Sequence, residues 1–151
     1  EFMTKPSEMN KKWKEENKNV DFKMQDTYLY DDFSEVRELV QMLKTHEVHR
    51  IRFMKLKSGD GELDRHTDLV DTDSGVGDGK LMRIHFPIIT NDKVLFESWD
   101  LTGHKQCVNM GINEAWLLDT RKPHRAVNNG DEDRVHLVID IVSNPNARTL
   151  L

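Results

Sequence analysis

Two histidines and one aspartate carry the sharpest chemical signal in this 151-residue chain. His66 and Asp68 stand one residue apart in His66-Thr67-Asp68, and His124 lies in Lys122-Pro123-His124-Arg125. On an extended strand, residues two apart project to the same side, so His66 and Asp68 can converge on one ion. Two imidazoles and a carboxylate form a facial triad: they occupy one face of an octahedron and leave three adjacent positions open. This is the ligand set of non-haem Fe(II) oxygenases, in which a bidentate 2-oxo acid can fill two open positions and dioxygen (O2) the third. Arg134 supplies what such a cosubstrate needs, a permanently charged planar fork for a distal carboxylate.

Each of these residues also has a plainer reading. A lone His-x-Asp is common by chance in polar loops, a histidine beside proline is usually a surface residue, and a strand arginine is usually solvated or salt-bridged. In the segment 134–142, Arg134 and His136 alternate with Val135, Leu137, Ile139 and Ile141. In 81–89, Arg83 and His85 alternate with Ile84, Phe86 and Ile88. Polar faces of this kind are informative only if they line a cavity, and His136 fits either a pocket or a surface. His46 and His49 are read as flanking a helix end, where a cation complements the dipole. His104, beside Gly103, is read as a turn residue, and Asp119 and Asp140 as serving turns or strand ends.

The elements that must position these groups follow from periodicity. Asp32 and Glu35 form a capping-box pattern ahead of Val36, Leu39, Val40 and Leu43, which share one helical face, so a helix is expected from about 33 to 45. The period then changes to two. Ile51–Leu56 reads as a strand too mixed to assign faces, and Leu81–Ile89 as a clearer one. Further strands are expected at 93–99, 105–109, 113–118, 124–128 and 134–142, separated by Asp, Asn, Gly and Pro signals. Many short strands with little helix among them predict an all-β sandwich or closed barrel. Asp71–Lys80, DTDSGVGDGK, lacks the EF-hand pattern at its fifth and sixth places and reads instead as a flap that closes over substrate.

Composition narrows the classes. With 36% hydrophobic and 32% charged residues the chain reads as one soluble domain, and no apolar run or signal-peptide pattern suggests a membrane segment. Its net charge of −5, with Lys and Arg scattered, argues against a nucleic-acid partner. A single cysteine, Cys107, excludes both an internal disulfide and a cysteine-rich zinc site, and a cytoplasmic location is the simplest expectation. Glu1 and Phe2, ahead of Met3, read as residues left by a cloning site, and residues 1–20 as a polar arm. Residues 21–151 are expected to form the one domain.

Order and spacing then say more than the parts. Residues 61–68 (GELDRHTD), 81–91 (LMRIHFPIITN), 111–119 (GINEAWLLD), 123–130 (PHRAVNNG) and 133–140 (DRVHLVID) resemble the aspartyl/asparaginyl β-hydroxylase family. That family includes bacterial free-amino-acid hydroxylases of the proline cis-4-hydroxylase type. The resemblance covers about half of the chain, Gly61 to Ile141. It implies a mainly β, double-stranded β-helix (cupin-like jelly roll) with one or two N-terminal helices. It implies that His66, Asp68 and His124 bind Fe(II) and that Arg134 holds the distal carboxylate of 2-oxoglutarate. His85 would contact the metal-proximal carboxylate, and Arg83 would face substrate or cosubstrate. Asp68 makes the chain more like the bacterial branch than the animal enzymes, which lack the carboxylate ligand, and argues against a halogenase.

The expectation is an Fe(II)- and 2-oxoglutarate-dependent dioxygenase that hydroxylates a C–H bond of a small-molecule or peptidyl amino acid, releasing succinate and CO2. Arg83 and Arg125 could meet a substrate carboxylate. The rival readings are a non-catalytic cupin-like binding module and a cupin metalloenzyme that does not use 2-oxoglutarate.

Overall fold

The computed structural model describes residues 11–13, 15–19, 26–43, 47–68, 81–143 and 145. Residues 11–13 and 15–16 are helical, and two helices follow, α1 (Tyr28–Asp32) and α2 (Ser34–Met42). Eight strands come next: β1 (Val48–Leu56), β2 (Gly61–His66), β3 (Leu81–Ile89), β4 (Val94–Trp99), β5 (Lys105–Val108), β6 (Trp116–Leu118), β7 (His124–Asn128) and β8 (Arg134–Val142). They form two four-stranded antiparallel sheets, in the orders β1-β8-β3-β6 and β2-β7-β4-β5. This is the double-stranded β-helix. The expected flap, 71–80, lies outside the described residues, as does His46.

Alternation along the first sheet divides its two faces by chemistry. Leu137, Ile139 and Ile141 of β8 pack with Ile84 of β3 and Val36 of α2, with Leu39, Val40, Leu43, Ile51, Met82, Phe86 and Leu117 around them. Ile139 and Ile141 have no solvent exposure. The aliphatic core therefore lies under the helix, on the outside of the sandwich. The opposite face, carrying Arg52, Arg83, His85 and Arg134, looks across at the second sheet. The mixed strand β1 now has faces: Ile51 joins the core, while Arg52, Met54 and Leu56 line the space between the sheets.

Three local readings change. Asp32 does not cap the longer helix. It ends α1, and Phe33 holds the capping position of α2 without a side-chain bond. His49 lies within β1 rather than beside a helix end. Residues 61–66, too polar to announce a strand, become one by pairing with β7.

The turns at one end are pinned by buried polar groups. Asn128, fully buried, brings its amide nitrogen to the carbonyls of Leu56, Lys57 and Glu132 at 3.2, 3.0 and 2.8 Å. Its side-chain oxygen accepts the Gly130 N–H at 3.1 Å. A Cβ at Gly130 would collide with the Asn91 side chain, which would have to leave its bonds to the Glu132 carbonyl and the Lys93 N–H. Asp133 is held by the Ser58 N–H at 2.8 Å and by Lys55, which fixes the chain one residue before Arg134. Ile139→Ala is expected to lower stability by about 2–5 kcal/mol, read from the denaturant midpoint at constant slope, because the cavity it leaves sits between sheet and helix.

Candidate metal centre

His66 ends β2 and His124 begins β7, and the two are register partners across that antiparallel pair. Their rings lie 4.3 Å apart between centroids. Each ring donates Nδ1–H to the backbone carbonyl two residues earlier, His66 to Asp64 at 2.6 Å and His124 to Lys122 at 2.9 Å. A carbonyl only accepts, so both Nδ1 atoms carry the proton and both Nε2 lone pairs stay available. Phe96 stacks on His124 at 5.7 Å. Burial pushes the His124 imidazole below its ordinary value, which favours the neutral form a ligand needs.

Asp68 does not share a strand with His66, as the spacing had suggested. The strand stops at His66, and Asp68 is placed by its own N–H, which donates to the Thr120 carbonyl at 3.0 Å. Its Oδ1 lies 3.5 Å from His66 Nε2. One donor atom from each of His66, Asp68 and His124 lies within 4.8 Å of the others, and among the described residues this is the one group of three such side chains. Two imidazoles, each presenting Nε2, and a carboxylate at this spacing fit a divalent first-row metal ion.

The donors open onto a cavity of about 400 Å³ between the sheets, lined among others by Arg52, Met54, Arg83, His85, Phe96, Leu118, Thr120, Ala126 and Arg134. All six residues singled out by sequence therefore meet around one space. The side chain of Arg134, a residue 6% exposed, makes no hydrogen bond or ion pair with any described residue, and its Nε is buried without a partner. Burial lowers its pKa to about 10, so it remains a cation at neutral pH. His85 and His136 face one another with Nδ1 atoms 3.2 Å apart. Burial, then the neighbouring cationic groups, drives His85 well below its usual range; burial, then Arg134, drives His136 to about 3.

Arg83 lines the cavity, where it was expected to face substrate or cosubstrate, and its guanidinium is also held by two carboxylates. Its Nε and Nη2 donate to Asp140 at 2.8 and 3.2 Å, and its Nη1 donates to Asp68 at 2.6 Å. Asp140 is no strand-end residue. It lies inside β8, fully buried, with Arg52 at 3.5 Å and Arg50 at 3.8 Å as well. Its parity with Arg134 and His136 was the available signal, since 134, 136, 138 and 140 share a face. Arg125 pairs with Glu62 at 2.7 Å and Glu97 at 3.8 Å, and it is not among the cavity-lining residues. His104 and Asp119 do serve turns.

Residues 3–144 match the family model described as aspartyl/asparaginyl beta-hydroxylase. The chain belongs to that family. It is thus a member of a hydroxylase-type oxygenase family with a cupin-like fold. Among solved structures it resembles ThoJ, a non-heme monooxygenase determined with nickel. The identity is 16% and the TM-score 0.51, over 65% of this chain and 44% of that one. The family member described here thus matches less than half the length of ThoJ. A cupin domain from Bordetella pertussis aligns at 16% identity and TM-score 0.42, over 65% of this chain and 92% of that one.

The histidine pair gives this hydroxylase-family chain a pH signature. Both rings are neutral when folded, whereas the unfolded chain takes up protons near 6.5. Stability is therefore full above about 6.5 and declines as pH falls, His136 contributing down to about 3 and His85 in the same direction, by up to about 1.4 kcal/mol per pH unit for each ring. In denaturant titrations with chelator present, His136→Gln should flatten the decline between 6.5 and about pH 5, above most carboxylate titration.

Proposed function

We propose that this chain is an Fe(II)- and 2-oxoglutarate-dependent dioxygenase that hydroxylates a C–H bond of an amino acid or amino-acid residue. The observation that carries the reading is Arg134, a buried cation without an acidic partner among the described residues, in the same cavity as His66, Asp68 and His124. An uncompensated guanidinium in a closed site is costly, and a carboxylate-bearing ligand removes that cost. His66 and His124 would hold Fe(II) through Nε2 and Asp68 through a carboxylate oxygen. With 2-oxoglutarate and O2, the bound metal supplies the oxidising chemistry, with succinate and CO2 as coproducts.

The chain's own residues do the binding and shielding. Arg134 takes the distal carboxylate of 2-oxoglutarate and sets how deeply it enters. His85, neutral and buried, contributes hydrogen bonding beside it without adding a second charge. Met54, Phe96, Leu118 and Ala126 supply apolar wall around the reacting centre and limit water there.

An anaerobic Fe(II) titration with 2-oxoglutarate should give the weak visible charge-transfer band of a chelated 2-oxo acid, and its absence from the wild-type protein would refute the proposal. His124→Ala and Asp68→Ala should lose iron affinity. Arg134→Ala should keep bare metal binding but weaken 2-oxoglutarate by on the order of 2–5 kcal/mol, measured calorimetrically. Succinate release across an amino-acid and short-peptide panel, with product mass spectrometry, identifies the substrate.

A further inference from the structure

We propose that Arg83 and Asp140 are positioning residues that hold the Asp68 carboxylate so that Oδ1 is left for the metal ion while Oδ2 is occupied. The inference rests on the reading of His66, Asp68 and His124 as metal ligands.

Asp68 needs such help because of where it sits. Strand β2 has ended two residues earlier, and the main-chain bond to Thr120 fixes the backbone but not the side chain. A carboxylate with two free torsions can offer a metal one oxygen or both. Arg83 removes that choice, since its Nη1 holds Oδ2 at 2.6 Å while Oδ1 lies on the His66 side at 3.5 Å. One-oxygen ligation keeps the neighbouring coordination positions open, and pairing with a cation reduces the charge the carboxylate gives to the metal.

Arg83 is in turn fixed from behind. It lies in β3, paired with Leu118 of β6 on one side and Asp140 of β8 on the other. Its guanidinium is planar, and two of its nitrogens fork onto Asp140 at 2.8 and 3.2 Å. A bidentate pair sets orientation as well as distance, so the third nitrogen is aimed by the first two. Asp140 has no solvent exposure, and its ion pairs are with Arg83, Arg52 and Arg50 rather than with any of the three ligands. Order thus passes from the middle of a sheet to a ligand that lies beyond the end of its own strand. Lysine could not replace Arg83 here, because a single ammonium has no fork to face two carboxylates in one plane.

The test uses Co(II) alone as the probe, without 2-oxo acid, and reads both affinity and the visible d–d band. Wild type, Asp68→Ala, Arg83→Gln, Arg83→Lys and Asp140→Asn are compared, each checked for cooperative unfolding. Arg83→Gln and Arg83→Lys should bind Co(II) about 10–100-fold more weakly, with an altered d–d band as Asp68 gains freedom. Asp140→Asn should shift affinity and band in the same direction, although Asp140 pairs with arginines and with none of the ligands. Should Asp140→Asn fail to fold, the Arg83 variants carry the test, because Asp140 keeps Arg52 and Arg50 there. Folded variants with wild-type affinity and spectrum would overturn the positioning role and leave the metal site standing. A wild type that does not bind Co(II), or an Asp68→Ala that binds it unchanged, would overturn both.

Discussion

A carboxylate that never meets water, Asp140, is the constraint around which the first sheet, β1-β8-β3-β6, is arranged. Burying such a charge alone costs several kcal/mol, so its strand neighbours must answer it. Arg83 does so with a two-pronged bond, and Arg52 and Arg50 stand at 3.5 and 3.8 Å. A strand face occupied by these groups cannot be close-packed against a second apolar sheet. The two sheets instead enclose a cavity, and the aliphatic residues of the same strands turn outward beneath α2. The fold thus separates the aliphatic core from the cavity-lining groups by the thickness of one sheet.

Within the cavity the two chief arginines differ in what answers them. Arg83 faces two carboxylates, whereas Arg134 faces none among the described residues. The acid next to Arg134 in sequence, Asp133, is drawn away by Lys55 and the Ser58 N–H. One cation is committed to carboxylates of the fold and the other is not, although both are buried strand arginines. The histidines divide similarly. His66 and His124 are oriented by backbone carbonyls and keep a lone pair each, while His85 and His136 bind one another and stay neutral.

Much of this was legible in the sequence because it rests on local pattern. The switch to a period of two after Leu43 marked the sheets, and Leu81–Ile89 and 134–142 appeared with the right faces. The His66, Asp68 and His124 set was visible as chemistry before any contact was known. What could not be read depended on partners far along the chain. GELDRH has no apolar alternation and becomes a strand only because β7 pairs with it. Whether the Arg-His faces met water or a cavity depended on the second sheet. Asp140 looked like a strand-end residue because its three arginines are 57 to 90 positions away. The helix start moved by one residue because Phe33, not Asp32, precedes α2.

The outward placement of the aliphatic core has a consequence for how such a protein can change over evolutionary time. Residues that line the cavity without belonging to the Asp140 network, such as Met54, Phe96, Leu118 and Ala126, sit apart from the packing around Ile139 and Ile141. Replacing them reshapes the chamber without opening a hole beneath the helix. Selectivity can therefore drift through many neighbouring forms on one unchanged scaffold, with Asp140 and Arg83 among the few cavity-side positions where drift is closed.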